Sequence, residues 1–121
     1  MVILGWNAAS EQYDPLDMLD QAVAAEKAGF ESISASDHFH PWDPSGESCN
    51  IWTWLGAAAA RLNGMEIGTG VTCPILRYNP AILAQSAATV DRMNKGNFYL
   101  GARPEQRVLR GILRRRSDHC H

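Results

Sequence analysis

The chain has 121 residues and a mass of 13.3 kDa, room for one domain rather than two. Hydrophobic residues make up 45% and charged residues 20%, which excludes a disordered tail or a fibrous protein. The formal net charge of -2 conceals an asymmetry: residues 1–102 carry five Lys or Arg and eleven Asp or Glu, whereas residues 103–121 carry six Arg and two acids. So sharp a break marks a basic tail or a change of origin. The longest apolar runs are too short to span a bilayer, and the first residues lack the basic and apolar regions of a signal peptide. Three cysteines (Cys49, Cys73, Cys120) without C-x-x-C spacing make a disulfide scaffold or a structural zinc site a poor reading. A reducing, cytoplasmic setting is the expectation.

The punctuation alternates strand and helix. Residues 2–6 are an apolar run suited to a buried strand. Asp14 is a good N-cap and Pro15 fits the first helical position. Leu16, Leu19, Val23 and Ala24, with Met18 and Ala22 alongside, give that helix its stripe, and Gly29 closes it. Residues 30–36 read as a second strand ending at Asp37-His38. Residues 39–49, with two prolines and a glycine, are a long loop of the kind that carries function. A Trp- and Ala-rich helix over 51–62 and a strand over 65–72 follow. Asn79-Pro80 opens a third helix, with Ile82, Leu83, Ala87 and Val90 inward, and Lys95-Gly96 ends it before a fourth strand over 97–102. Val108, Leu109, Ile112 and Leu113, opposite Arg107, Arg110 and Arg114, outline a fourth helix. Four βα units in series predict a parallel sheet. On this pattern alone a doubly wound sheet and a piece of a (β/α)₈ barrel both stay open.

The chemistry-bearing residues cluster at predicted strand ends. Asp37-His38-Phe39-His40-Pro41-Trp42 sits where the second strand meets its loop, and the carboxyl ends of parallel strands face the ligand crevice in both architectures. A His beside an Asp and near a Trp can serve as a general base; the plainer reading is a polar loop with one satisfied His. A metal at His38 and His40 lacks a third ligand. Gly68-Thr69-Gly70-Val71-Thr72-Cys73 half resembles a dinucleotide fingerprint, but Cys73 stands where the third Gly belongs and no helix follows directly. The small residues suit close approach of backbone to a flat ligand. Cys73 reads as a packed small residue, and Arg77-Tyr78-Asn79-Pro80 as helix initiation. The Arg114-Arg115-Arg116 run could attract nucleic acid, which the acidic balance of residues 1–102 disfavours.

Glu11-Gln12-Tyr13, Ala25-Glu26-Lys27-Ala28-Gly29-Phe30, Asp37-His38-Phe39-His40-Pro41-Trp42, Thr72-Cys73-Pro74 and Arg77-Tyr78-Asn79-Pro80-Ala81 together resemble coenzyme F420-dependent oxidoreductases of the bacterial luciferase-like superfamily. The resemblance covers residues 2–102 and rests on the order and spacing of these strings. It implies the N-terminal (βα)₄ half of a TIM barrel, with the deazaflavin at the mouth formed by the carboxyl ends of the strands. It implies His38 as the base that takes a hydroxyl proton as hydride leaves for the deazaflavin, and Trp42 as a residue that helps hold the substrate oxygen and the coenzyme. It implies coenzyme contacts at Asp37, at a non-prolyl cis peptide between Gly70 and Val71, and at Thr72 and Cys73. A secondary alcohol or a sugar phosphate is the implied substrate.

Two features depart from that pattern. The family's Gly-rich turn and Glu after the fourth strand are replaced by Arg103-Pro104-Glu105-Gln106, at the position of the charge break, as a frame change in the gene would produce. Residues 103–121 are thus expected to be a divergent basic helix and tail. A complete barrel also needs about 250 residues. The expectation is an apolar inner sheet face and two open edges, closed by a second copy of the chain. The rival reading is a half-barrel that self-assembles, binds no coenzyme and catalyses nothing.

Overall fold

The computed structural model describes residues 2–75 and 77–103. The elements are β1 (Gly5–Ala8), α1 (Pro15–Lys27), β2 (Ser32–Ala35), α2 (Ile51–Arg61), β3 (Glu66–Thr72), α3 (Pro80–Met93) and β4 (Phe98–Ala102). The four strands are parallel and lie in the order β1-β2-β3-β4. This sequential order decides between the two architectures. A doubly wound sheet reverses its strand order at a switch point, whereas consecutive right-handed crossovers put every helix on one face, as in a barrel. The chain is an α/β partial barrel. The proposed fourth helix lies outside the described residues.

Local chemistry sets the helix ends. Asp14 accepts from Leu16 N at 2.8 Å, Asn50 from Thr53 N at 3.0 Å and Asn79 from Ala81 N at 2.9 Å. Proline opens α1 and α3. Gly29 ends α1 in the left-handed region, with φ 94°.

Strand register sorts the side chains into two faces. Trp6, Ile33, Ile67 and Phe98 align across the sheet and, with Ala8 and Ala35, meet the helices in one apolar core. The helices contribute Met18, Leu19 and Ala22, then Trp52, Trp54, Leu55 and Ala58, then Leu83 and Val90. Trp54 Nε1 donates to Pro15 O at 3.1 Å, joining α2 to the start of α1. On the other face Asn7, Ser34, Gly68 and Tyr99 align, with Ser32 and Glu66 below them.

Three expectations change. The inner face is polar and small-residued, not apolar, because Trp6, Ala8, Ile33, Ala35, Ile67 and Phe98 are used against the helices. The first strand runs over Gly5–Ala8, and Val2, Ile3 and Leu4 are exposed, since they precede the ladder apart from the Glu31 N to Leu4 O bond at 2.9 Å. Leu16 and Ile82 point outward, because the buried arcs of their helices are set by Met18-Ala22-Ala25 and by Leu83-Val90.

Candidate functional site

The site lies at the carboxyl ends of β2 and β3. Its centre is Asp37, two residues past the end of β2 and without exposed surface. Thr72 Oγ1 donates to Asp37 Oδ2 at 2.8 Å, and the Tyr78 hydroxyl reaches Oδ1 at 2.9 Å. Arg77 Nη2 lies 3.0 Å from Oδ1, and Arg77 Nη1 donates to the Asp37 carbonyl at 2.7 Å. A buried carboxylate needs this matching; an unpaired charge there would be expensive. Tyr78 responds to the same setting. Burial, then the Asp37 charge, push its hydroxyl well above the ordinary tyrosine range, against the opposing pull of Arg77.

His38 follows Asp37, with its side chain partly exposed. Its Nδ1 meets the carboxylate of Glu11, from the loop between β1 and α1. The Trp42 indole stacks on the imidazole, centroids 5.7 Å apart and planes at 22°, with Nε1 3.1 Å from the same Nδ1. One ring nitrogen cannot both donate to Glu11 and accept from Trp42. The charge-assisted contact to the carboxylate is the stronger and claims the proton for Nδ1. Trp42 then contributes by stacking. His38 Nε2 is left with a lone pair and no protein partner among the described residues, the state a general base requires.

The loop that carries Trp42 is fastened to Glu11. Glu47 N donates to Glu11 O at 3.0 Å. Gly46 makes this possible: a Cβ there would stand 2.6 Å from Glu11 O and 2.9 Å from Pro41 Cβ. Within the loop, Ser45 donates through its hydroxyl and its N–H to Asp43, which lowers the Asp43 carboxyl.

Gly70 and Val71 form the neighbouring wall, joined by a cis peptide bond. Gly70 is exposed and Val71 half-buried, so the wall offers a bare backbone edge. Thr72 and Cys73 present no surface: Thr72 turns to Asp37, and Cys73 is packed inward. Of the residues singled out in the sequence, Trp42 and Gly70 are exposed, His38 and Val71 are partly exposed, and Asp37, Thr72 and Cys73 are buried. Cys49, half-buried nearby, has its thiol pushed up chiefly by burial. Sequence reasoning passed over Glu11, Arg77 and Tyr78 as site residues. Glu11 has no local signature, since its partner is 27 positions away. Arg77 and Tyr78 were hidden by the helix-initiation motif they precede.

Comparison with known proteins gives a consistent match. The pattern of the luciferase-like monooxygenases covers residues 3–102. The F420-dependent glucose-6-phosphate dehydrogenase of Intrasporangium calvum is 41% identical over 102 residues, 84% of this chain and 30% of that protein. Its counterpart from Segniliparus rotundus is 44% identical over 100 residues, 81% of this chain and 30% of that protein. Among solved structures, an F420-dependent secondary alcohol dehydrogenase in complex with an F420-acetone adduct superposes with a TM-score of 0.79 at 46% identity, over 83% of this chain and 31% of that one. The chain spans about a third of the length of these relatives.

Proposed function

Because the chain belongs to the luciferase-like monooxygenase family, we propose that it carries the base-bearing part of an F420-dependent oxidoreductase site, acting on the hydroxyl of a secondary alcohol or a sugar phosphate. The observation that carries this reading is His38, with Nδ1 on Glu11 and Nε2 without a partner among the described residues, at the same carboxyl end of the sheet as the Gly70–Val71 cis peptide. The residues suit a flat deazaflavin: a side-chain-free wall at Gly70, the adjoining Val71, and the largely exposed Trp42 indole. When bound, the deazaflavin supplies a hydride acceptor. Gly70 and Val71 would back its ring, with Asp37, Thr72 and Cys73 keeping that wall in place. His38 Nε2 takes the hydroxyl proton as the C–H bond weakens, Glu11 stabilises the imidazolium so formed, and Trp42 limits rotation of the imidazole and borders the substrate oxygen.

The reading includes a second copy of the chain. The outer edges of β1 and β4 carry no strand neighbour among the described residues. Two copies edge to edge would supply eight strands and enclose the polar inner face.

The test is turnover. With F420 and either 2-propanol or glucose 6-phosphate, the chain should bleach the deazaflavin absorbance, and His38→Ala should slow this by about 10²–10⁴-fold, the usual weight of a general base. Bleaching at the same rate in both proteins would refute the assignment of His38.

A further inference from the structure

We propose that Arg77 is the positioning residue of His38, fixing the imidazole by gripping the residues on either side of it. Asp37, before His38, is held twice: Nη1 bonds its carbonyl at 2.7 Å and Nη2 its carboxylate at 3.0 Å. Phe39, after His38, lays its ring under the guanidinium, 5.9 Å from centroid to Cζ. The Tyr78 hydroxyl accepts from Nη2 at 3.1 Å and keeps the fork in plane. The last sheet bond before His38 is Ser36 N to Ala8 O at 3.2 Å, and Asp37 and His38 lie beyond it, where the contacts to Arg77 hold the backbone. The Arg77 side chain is only 10% exposed, so solvent does not compete strongly for these contacts.

The chemistry calls for arginine. Neutralising Asp37 requires only a cation, and lysine would serve. Bonding a carbonyl and a carboxylate at once while stacking on an aromatic face requires a planar fork. Arg77 thus does more than pair a charge: it sets where the Nδ1–H of His38 points and keeps it on Glu11.

This inference rests on reading His38 as the base, but its test needs neither coenzyme nor substrate. The ring-nitrogen NMR shifts of His38 report its tautomer. In the unmodified chain two well-separated signals are expected, with Nδ1 protonated. Arg77→Lys keeps the charge and loses the fork, and should draw the two signals together as the tautomers average. A folded Arg77→Lys protein with unchanged signals would overturn the proposal, because it would show that charge alone suffices. If Arg77→Lys does not fold, Phe39→Leu decides. Phe39 is 68% exposed, so the core tolerates its loss; convergence of the signals supports the proposal and unchanged signals overturn it. A failure here would leave the coenzyme reading intact, since coenzyme binding and turnover are measured separately.

Discussion

Thr72 donates its hydroxyl to Asp37 Oδ2 at 2.8 Å, and neither residue has any exposed surface. The bond ties the carboxyl end of β3 to the segment that leads from β2 to His38, so the wall and the base are parts of one framework. Removing one donor leaves an under-satisfied buried carboxylate. Thr72→Val should therefore destabilise the chain by about 1–3 kcal/mol. Arg77→Ala, which strips the countercharge, should cost more, about 3–5 kcal/mol. Urea midpoints of the two variants against the parent check both the size and the order.

Tyr78 gives this framework an alkaline limit. Its hydroxyl is held in the neutral form, with burial the main cause, so its folded value is raised above the ordinary one of about 10. A raised value contributes stability in full below the unfolded value and loses it as pH rises toward the folded one. Wild-type stability should thus fall above about pH 10 more steeply than that of Tyr78→Phe, which has no phenol to ionise. Below that pH Tyr78→Phe should be the weaker protein, because Asp37 loses a donor. Melting temperatures of both proteins between pH 8 and 11 test the sign; parallel curves would contradict it.

Much of the fold is legible in the residues, and the limits follow from range. Asp14-Pro15, Asn79-Pro80 and Gly29 mark helix ends because capping is local chemistry. Apolar residues alternating with small polar ones mark β2 and β3, whereas the apolar run over 2–4 precedes β1 rather than marking it. The inward faces of α1 and α3 are harder: Leu16 and Ile82 are as apolar as Leu19 and Leu83, and only packing against the sheet separates them. The Asp37 to Trp42 string reads as a site because several reactive types are adjacent. Glu11 does not, since its meaning comes from a contact made by folding. The polar inner face is hidden for a similar reason: Asn7, Ser34, Glu66 and Tyr99 come from four strands and share a face only once the register is set.

The two inner-face glycines of β3 should differ in tolerance. A Cβ at Gly68 would run into the Tyr99 carbonyl and lie 2.6 Å from two of its ring carbons, and backbone cannot swing aside. A Cβ at Gly70 would meet the Ser34 hydroxyl, a movable side chain, with Ser34 Cβ next at 3.3 Å. Gly68→Ala should cost about 3 kcal/mol or more and Gly70→Ala about 1 kcal/mol, within the usual range for overpacking. Adding Ser34→Ala should recover the loss at Gly70 and none of the loss at Gly68, as a double-mutant cycle on denaturation midpoints would show.

Glu11 should matter through His38 alone. Glu11→Gln keeps the shape and removes the charge that favours the imidazolium. Hydrogen bonds to charged groups are worth about 1.5–3 kcal/mol, so turnover should drop roughly 10–150-fold. In a His38→Ala background the same change should have little further effect. Independent, multiplicative losses would contradict the pairing.

Fluorescence titration of coenzyme F420 with the purified chain, its mass fixed by light scattering and His38→Ala run beside it, tests the central claim most directly. The account predicts saturable binding by a species of two chains, weakened in the variant. A folded chain that produces no saturable change would contradict it, and would identify the module as a half-barrel that keeps the family's residues without the family's coenzyme.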